Sequence, residues 1–260
     1  MRLARGWGRA LGWGLALAAG SLLAQPARAG AASPAVPFGD RISSADRAHL
    51  AGVMEQAFVA GEVSVEPYPA RSAVFEFLLD HPVLAGHVAH AAGATRYRIW
   101  RSPEGLALDD GAGTTGRFRV LHAETGARMI HAHGRHVHWL FPQIRGEALV
   151  IIRYHFRPDG AGATVVETSF TGYVRLERGL LTGVLRVFAP LLHARAMRGA
   201  RDLLGVFAKV SRAIQEDPAA VCEQVAARPG VKAEDLRALR QVLACPGGPG
   251  VGPPAGARRP

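Results

Sequence analysis

The residues with the clearest capacity for chemistry are four histidines in one short stretch. They alternate with other residues around a central Gly-Arg pair, as His131, His133, His136 and His138. If that Gly-Arg pair forms a two-residue type II′ turn, His133 pairs with His136 and His131 with His138. All four imidazoles then project from one face, with cross-strand Cβ atoms about 5.5 Å apart. Imidazoles at this spacing can bind zinc, copper or nickel.

The opposite face of the same hairpin is apolar. Ile130, Ala132, Val137 and Trp139 alternate with the histidines. We assign this apolar face to the protein interior, which directs the histidines outward into solvent. No acidic or cysteine ligand lies nearby in the sequence, so the cluster fits adventitious metal or a pH-sensitive patch better than catalysis. A metal-handling role for the hairpin stays open as an alternative.

Few other residues could act on a substrate. Tyr154, Thr164 and Thr168 fall on inward-facing positions of predicted strands, and His122 is the best placed inward histidine. The sequence contains no Gly-rich phosphate loop, no G-x-S-x-G elbow and no H-E-x-x-H helix. We therefore predict no catalytic residue and no cofactor. An enzyme that uses Tyr154 or His122 as acid or base is the alternative.

The segments that position these residues have the two-residue period of β-strands. Six predicted strands are Thr95–Arg101, Gly116–His122, Ala127–His133, His136–Phe141, Glu147–Arg157 and Ala163–Glu177. Only short turn-like pieces separate them. Connections this short predict an antiparallel meander.

A long amphipathic helix is predicted after these strands, from Gly183 to Asp217. Its apolar residues recur at steps of three and four: Leu185, Phe188, Leu192, Ala196, Ala200, Leu203, Phe207, Val210 and Ile214. Such a stripe needs a partner surface, and the apolar strand faces are the available one. Pro190 predicts a kink or a short first segment.

The strand faces and the helix stripe should meet around a cavity. The residues predicted to bind a ligand there are Phe118, Val120, Trp139, Ile152, Tyr154, Phe156, Val166, Phe170, Phe188 and Leu192. One-off polar groups in an apolar pocket orient a ligand more often than they catalyse.

The order of these elements is a strand, two short helices, six antiparallel strands and one long helix. Val63–Pro69 with Arg71–Asp80, then Thr95–Leu176, then Gly183–Asp217, resemble the START-like (SRPBCC) superfamily. The resemblance implies an α+β helix-grip fold, in which a curved antiparallel meander wraps around a long C-terminal helix. Members hold apolar ligands between sheet and helix, and some are enzymes. It implies a non-enzymatic binder or carrier of a hydrophobic, lipid-like molecule, or alternatively an enzyme acting on an apolar or aromatic substrate.

The N-terminal residues are typical of a secretory signal. Arg2, Arg5 and Arg9 precede a short apolar run, and Ala27-Arg28-Ala29 offers a cleavage site before Gly30. We expect a periplasmic or secreted protein, with an uncleaved anchor as the alternative. The predicted divisions are a signal peptide (1–29), a linker and N-terminal helix (30–60), a START-like domain (61–217), a helical extension (218–245) and a disordered tail (246–260).

Two cysteines and a basic balance complete the sequence-level picture. In an exported chain the even count favours a disulfide between Cys222 and Cys245, which would join two short helices. The formal charge is +10. Because basic residues are spread out and lack interleaved aromatics, we expect no nucleic-acid partner. The charge fits either peripheral contact with an anionic membrane or simple solubility.

Overall fold

The computed structural model describes residues 35–138, 141–160, 162–177 and 189–245, all within one compact unit. The helices in these ranges are α1 (Ser44–Glu55), α2 (Ser72–Asp80), α3 (Pro82–Ala91), α4 (Ala189–Glu216), α5 (Pro218–Ala226) and α6 (Ala233–Leu243). None of them combines the length and the apolar character that crossing a bilayer requires.

The strands of the described ranges form a single antiparallel sheet. They are β1 (Val59–Ser64), β2 (Tyr68–Pro69), β3 (Arg98–Ser102), β4 (Gly105–Asp109), β5 (Thr114–Glu124), β6 (Ala127–His138), β7 (Phe141–Pro158) and β8 (Thr164–Leu176). Their spatial order is β1-β8-β7-β6-β5-β4-β3, and β2 pairs with β8. The predicted α+β class and the antiparallel meander are therefore confirmed.

The predicted hairpin turn at Gly134-Arg135 is wrong. Both residues lie inside the continuous strand β6, where Gly134 pairs with Gly116 on β5 and with Gly146 on β7. Gly134 also lacks the positive φ that a type II′ turn requires at its first central position. Two predicted strands are thus one, and the sixth strand of the meander is Gly105–Asp109, which the sequence patterns missed.

The predicted helix after the sheet is present over the described range of α4. Its basic residues point to solvent: Arg195, Arg198, Arg201, Lys209 and Arg212. On its opposite side Leu204, Val210 and Ile214 are buried, as the predicted stripe requires. The segment from Gly183 to Phe188 lies outside the described residues.

The sheet has two covered faces. On the inner face, α4 packs against strands at the β1–β8 end. The outer face is covered by α1, whose Leu50 and Val53 pack against Met129, Leu149 and Ile151. A helix on the outer face matters below, because it shields strand positions that the sequence patterns place in solvent.

The last two helices pack beside α3 and α4. Val221, Val225, Leu239 and Leu243 form a buried cluster with residues of those helices. Cys222 and Cys245 form the predicted disulfide within this cluster, with their Cα atoms 6.6 Å apart. A disulfide fits an oxidising compartment.

Candidate functional site

A cavity of about 530 Å³ lies on the inner face of the sheet. Its walls are the inner positions of β3 to β8 together with α2, α3 and α4. The side chains that contribute are almost all apolar, including Leu78, Leu108, Ile130, Val150, Leu203 and Val206. Apolar cavities of about 300–1,000 Å³ are the usual size of small-molecule sites.

Three glycines in register keep part of the sheet's inner face free of side chains. Gly116, Gly134 and Gly146 lie side by side on β5, β6 and β7. A Cβ at Gly116 would lie 2.6 Å from the His133 carbonyl oxygen, and one at Gly146 would lie 2.7 Å from the Arg175 carbonyl oxygen. Only glycine permits backbones to approach this closely. This glycine row leaves space for the cavity.

Four of the predicted ligand-binding residues border this cavity: Phe118, Val120, Ile152 and Phe170. Trp139 and Phe188 lie outside the described residues, and the side chain of Leu192 does too. The remaining three predictions, Tyr154, Phe156 and Val166, fall outside the cavity wall and are described next.

Tyr154, Phe156 and Val166 pack in a solid cluster at one end of the cavity. Val166 is completely buried. The Phe75 ring lies 5.0 Å from the Tyr154 ring, 5.7 Å from that of Phe156 and 5.9 Å from that of Phe207, centroid to centroid. The expectation that these three residues line a cavity is wrong, because α2 inserts Phe75 between the sheet and α4.

A buried charged network borders the apolar walls. Arg128 faces inward from β6 and is only 5% exposed. Its Nη2 donates hydrogen bonds of 2.8 Å to both Glu76 and Asp80, which lie on α2. Its Nη1 donates to Tyr154 OH at 2.9 Å and to the Glu124 carbonyl oxygen.

The network also holds the Tyr154 phenol in its protonated form. Tyr154 OH donates a 2.6 Å hydrogen bond to Glu76 Oε2. Burial, followed by this hydrogen bond to a carboxylate, raises the pKa of Tyr154 to about 12. The phenol is thus fully protonated near neutral pH and already has hydrogen-bonding partners. By contrast, Arg128 Nε has no hydrogen-bond partner among the described residues, although it is buried.

His122, the other acid–base candidate, points away from the cavity. A β-bulge between Val120 and His122 inserts one residue, so that His122 pairs with the outward-facing Met129. Its ring stacks on Phe38, with centroids 4.7 Å apart. The prediction of an inward His122 is wrong because a bulge reverses the alternation of side chains.

The four histidines of the predicted hairpin do not share one face. Because β6 continues through Gly134-Arg135, His131 and His133 face outward, whereas His136 shares the inner face with Ile130 and Ala132. His136 Nδ1 lies 3.0 Å from Thr114 Oγ1. The side chain of His138 lies outside the described residues.

His131 and His133 instead meet two residues that are distant in the sequence. His49 Nε2 on α1 lies 2.8 Å from Glu147 Oε2 on β7. His131 Nε2 lies 3.5 Å from the same oxygen, and His133 Nε2 lies 3.6 Å from Glu147 Oε1. Within the described ranges this is the one group of histidines and acids whose donor atoms all lie within 4.8 Å of one another.

The protonation states of this cluster follow from its burial and its charges. Burial, with a further contribution from His133, lowers the pKa of His131 and favours the neutral imidazole. Burial alone would raise the pKa of Glu147, but hydrogen bonds from Arg175 and His49 lower it overall. Arg175 Nη2 lies 3.1 and 3.0 Å from the two carboxylate oxygens of Glu147.

Sequence patterns missed the partners that complete both clusters. Glu76, Asp80 and Arg128 look like ordinary polar positions of a short helix and a strand. His49 and Glu147 are 98 residues apart. An available signal was the helix before Val63, whose apolar Leu50 and Val53 need a surface and bring His49 to it.

No protein-family model and no curated protein matches the sequence. Among solved structures, the crystal structure of TTHA0849 from Thermus thermophilus is similar to 59% of this chain and 99% of that chain. The identity is 16% and the TM-score is 0.26. A likeness at this level carries no inference about fold or function.

Proposed function

We propose that this protein is a non-enzymatic binder or carrier of a hydrophobic small molecule. The observation that supports the proposal is the apolar cavity of about 530 Å³ between the sheet and helices α2, α3 and α4. Its volume and apolar walls fit a lipid-like ligand. A solid core would instead bring side chains from sheet and helix into direct contact.

The helix-grip arrangement is the fold that this proposal adopts. A long helix with one apolar stripe follows an antiparallel meander and borders a cavity on its inner face, as in START-like proteins. Leu203, Phe207 and Val210 of α4 border that cavity. The chain adds α1 on the outer face and the disulfide-linked pair α5 and α6.

Arg128 narrows the chemistry of the ligand. It is a buried charged residue at the cavity wall, and its Nε–H lacks a partner within the described ranges. Glu76 and Asp80 already compensate its positive charge. An anionic headgroup would therefore gain little there. An apolar molecule with one neutral acceptor, such as a hydroxyl or carbonyl oxygen, suits the site better.

The acid–base alternative has less support. Neither Tyr154 nor His122 borders the cavity, and Tyr154 is committed to Glu76 and Arg128. The signal-like N-terminal sequence and the Cys222–Cys245 disulfide support the further proposal that the carrier works in the periplasm or outside the cell. A peripheral contact with anionic membrane remains part of that proposal.

Native mass spectrometry of the untagged protein, purified from its own host without detergent, tests the function. We expect a bound mass that organic solvent releases and that proves to be an apolar molecule with few polar atoms. A protein that carries no small molecule and takes up none from a lipid extract of that host would contradict the proposal.

A further inference from the structure

A second cluster lies on the outer face of the sheet, separated from the cavity by the sheet itself. His131 and His133 are two residues apart on β6, and Glu147 lies directly opposite His133 on β7. His49 reaches the same point from α1. Three imidazoles and one carboxylate thus converge from three elements of the fold.

We propose that His49, His131, His133 and Glu147 bind one divalent transition-metal ion of the zinc type. Each residue offers one donor atom, and all four donors lie within 4.8 Å of one another. In a tetrahedral site with metal–ligand bonds of about 2.0–2.1 Å, donor atoms are roughly 3.4 Å apart. Three of the donor distances to Glu147 already fall between 2.8 and 3.6 Å.

The buried member of the cluster points to a ligand. His131 is only 6% exposed, and its Nε2 has no hydrogen-bond partner among the described residues. Buried polar atoms without a partner are rare in folded proteins and need an explanation. A metal ion bound between the four donors would satisfy this nitrogen, which faces the carboxylate of Glu147.

The other histidines provide access and the freedom to close around an ion. The side chain of His49 is 44% exposed and that of His133 is 53% exposed. Both can rotate toward an ion that enters from solvent. The two anchors are held more firmly, since the side chains of His131 and Glu147 are 7% and 12% exposed.

Arg175 positions the carboxylate. Its Nη2 contacts both oxygens of Glu147, so one oxygen can bind the metal while the other keeps its hydrogen bond. Ligating carboxylates are commonly held in this way by an outer partner. The positive charge of Arg175 opposes a cation, and this cost limits how tightly the site can bind.

The donor set selects the class of metal. Three imidazole nitrogens and one carboxylate oxygen suit Zn²⁺, Cu²⁺ or Ni²⁺, whereas Mg²⁺ and Ca²⁺ prefer all-oxygen sites. Because the described residues near the cluster include no thiol, Co²⁺ can replace Zn²⁺ as a spectroscopic probe without competing cysteine ligands.

The test is a titration of the untagged, chelator-treated protein with ZnCl₂ by calorimetry and with CoCl₂ by visible absorption. We expect one equivalent of Zn²⁺ to bind, tetrahedral Co²⁺ bands to appear, and MgCl₂ to give no signal. His49→Ala and His133→Ala replace exposed side chains and should each weaken Zn²⁺ binding at least about tenfold. His155→Ala is the matched control, since His155 is an exposed histidine on the same face of β7.

Each outcome decides the proposal. Loss of binding in both cluster variants with no change in His155→Ala supports the site. Absence of saturable binding at one equivalent, or an equal loss in His155→Ala, overturns it. Loss in only one of the two cluster variants overturns the four-ligand arrangement. A melting temperature that Zn²⁺ raises in the wild type but not in His49→Ala would confirm binding to the folded state.

Discussion

Gly116 lies so close to His133 that a Cβ atom at Gly116 would be 2.6 Å from the His133 carbonyl oxygen. The two residues belong to neighbouring strands, and the contact is with backbone, which cannot rotate away. Together with Gly134 and Gly146, Gly116 keeps the inner face of the sheet open where the cavity lies. The cavity thus depends on residues that have no side chain.

The close approach predicts that Gly116→Ala destabilises the fold. Forcing a methyl group into this contact should cost about 1–3 kcal/mol, because the strands must separate. Gly172→Ala on β8 is the control, since a Cβ there meets nothing within 4 Å. Urea unfolding measures both. Equal stabilities of the two variants would contradict the packing described here.

The hydrogen bond from Tyr154 to Glu76 predicts that Tyr154→Phe is destabilising. The hydroxyl donates to a carboxylate at 2.6 Å. Hydrogen bonds to charged groups contribute about 1.5–3 kcal/mol, and we expect a loss in that range from urea unfolding. Tyr173→Phe removes a hydroxyl on the outer face, away from this network, and should change the free energy of unfolding much less. Similar losses in both variants would argue against the network.

The same phenol predicts a loss of stability at alkaline pH. The folded state raises the pKa of Tyr154 to about 12, from an ordinary value of 10.0. The folded state therefore favours the protonated phenol, and this contribution is complete below about pH 10. It is lost as the pH rises from about 10 to about 12. Unfolding measured across this range should show a smaller loss for Tyr154→Phe than for the wild type, and equal losses would exclude this role.

The disulfide predicts a redox-dependent stability. Cys222 and Cys245 are buried and close a loop with a sequence separation of 23. In the chain-entropy model a loop of this size stabilises by roughly 3 kcal/mol. Reductant should lower the unfolding midpoint of the wild type and leave the double variant Cys222→Ala/Cys245→Ala unchanged. A wild-type midpoint unaffected after both thiols have been labelled would contradict this contribution.

Local periodicity made the long helix and most of the meander predictable from sequence. The stripe through Leu203, Phe207 and Val210 repeats at helical spacing, and it does border the interior. Gly134-Arg135 was misleading, because glycine marks both turns and close strand contacts. Only the pairing with Gly116 and Gly146 separates the two meanings.

The site could be predicted only in part, because its decisive contacts join distant residues. His131 was expected to be solvated, yet α1 covers the outer face and buries it. Its partners His49 and Glu147 come from another helix and another strand. Likewise, Tyr154 was placed on the inner face correctly, but α2 fills the space beside it with Phe75. Neither covering helix leaves a mark on the strand sequence itself.

The central claim is that the cavity holds an apolar ligand, and position 148 offers the sharpest way to test it. Ala148 borders the cavity from β7, and its small side chain leaves room for a larger one. Val166 does not serve, because it is completely buried in the packed cluster. Ala163→Phe, at an exposed position before β8, is the matched control.

The decisive measurement is the affinity for a fluorescent fatty acid, with a melting curve of each variant to verify its fold. We predict saturable one-to-one binding by the wild type and by Ala163→Phe. Ala148→Phe should keep its fold and bind at least about tenfold more weakly, because the new ring fills the space that the ligand occupies. A wild type that does not bind the probe, or a folded Ala148→Phe that binds it as tightly as the wild type, would contradict the account.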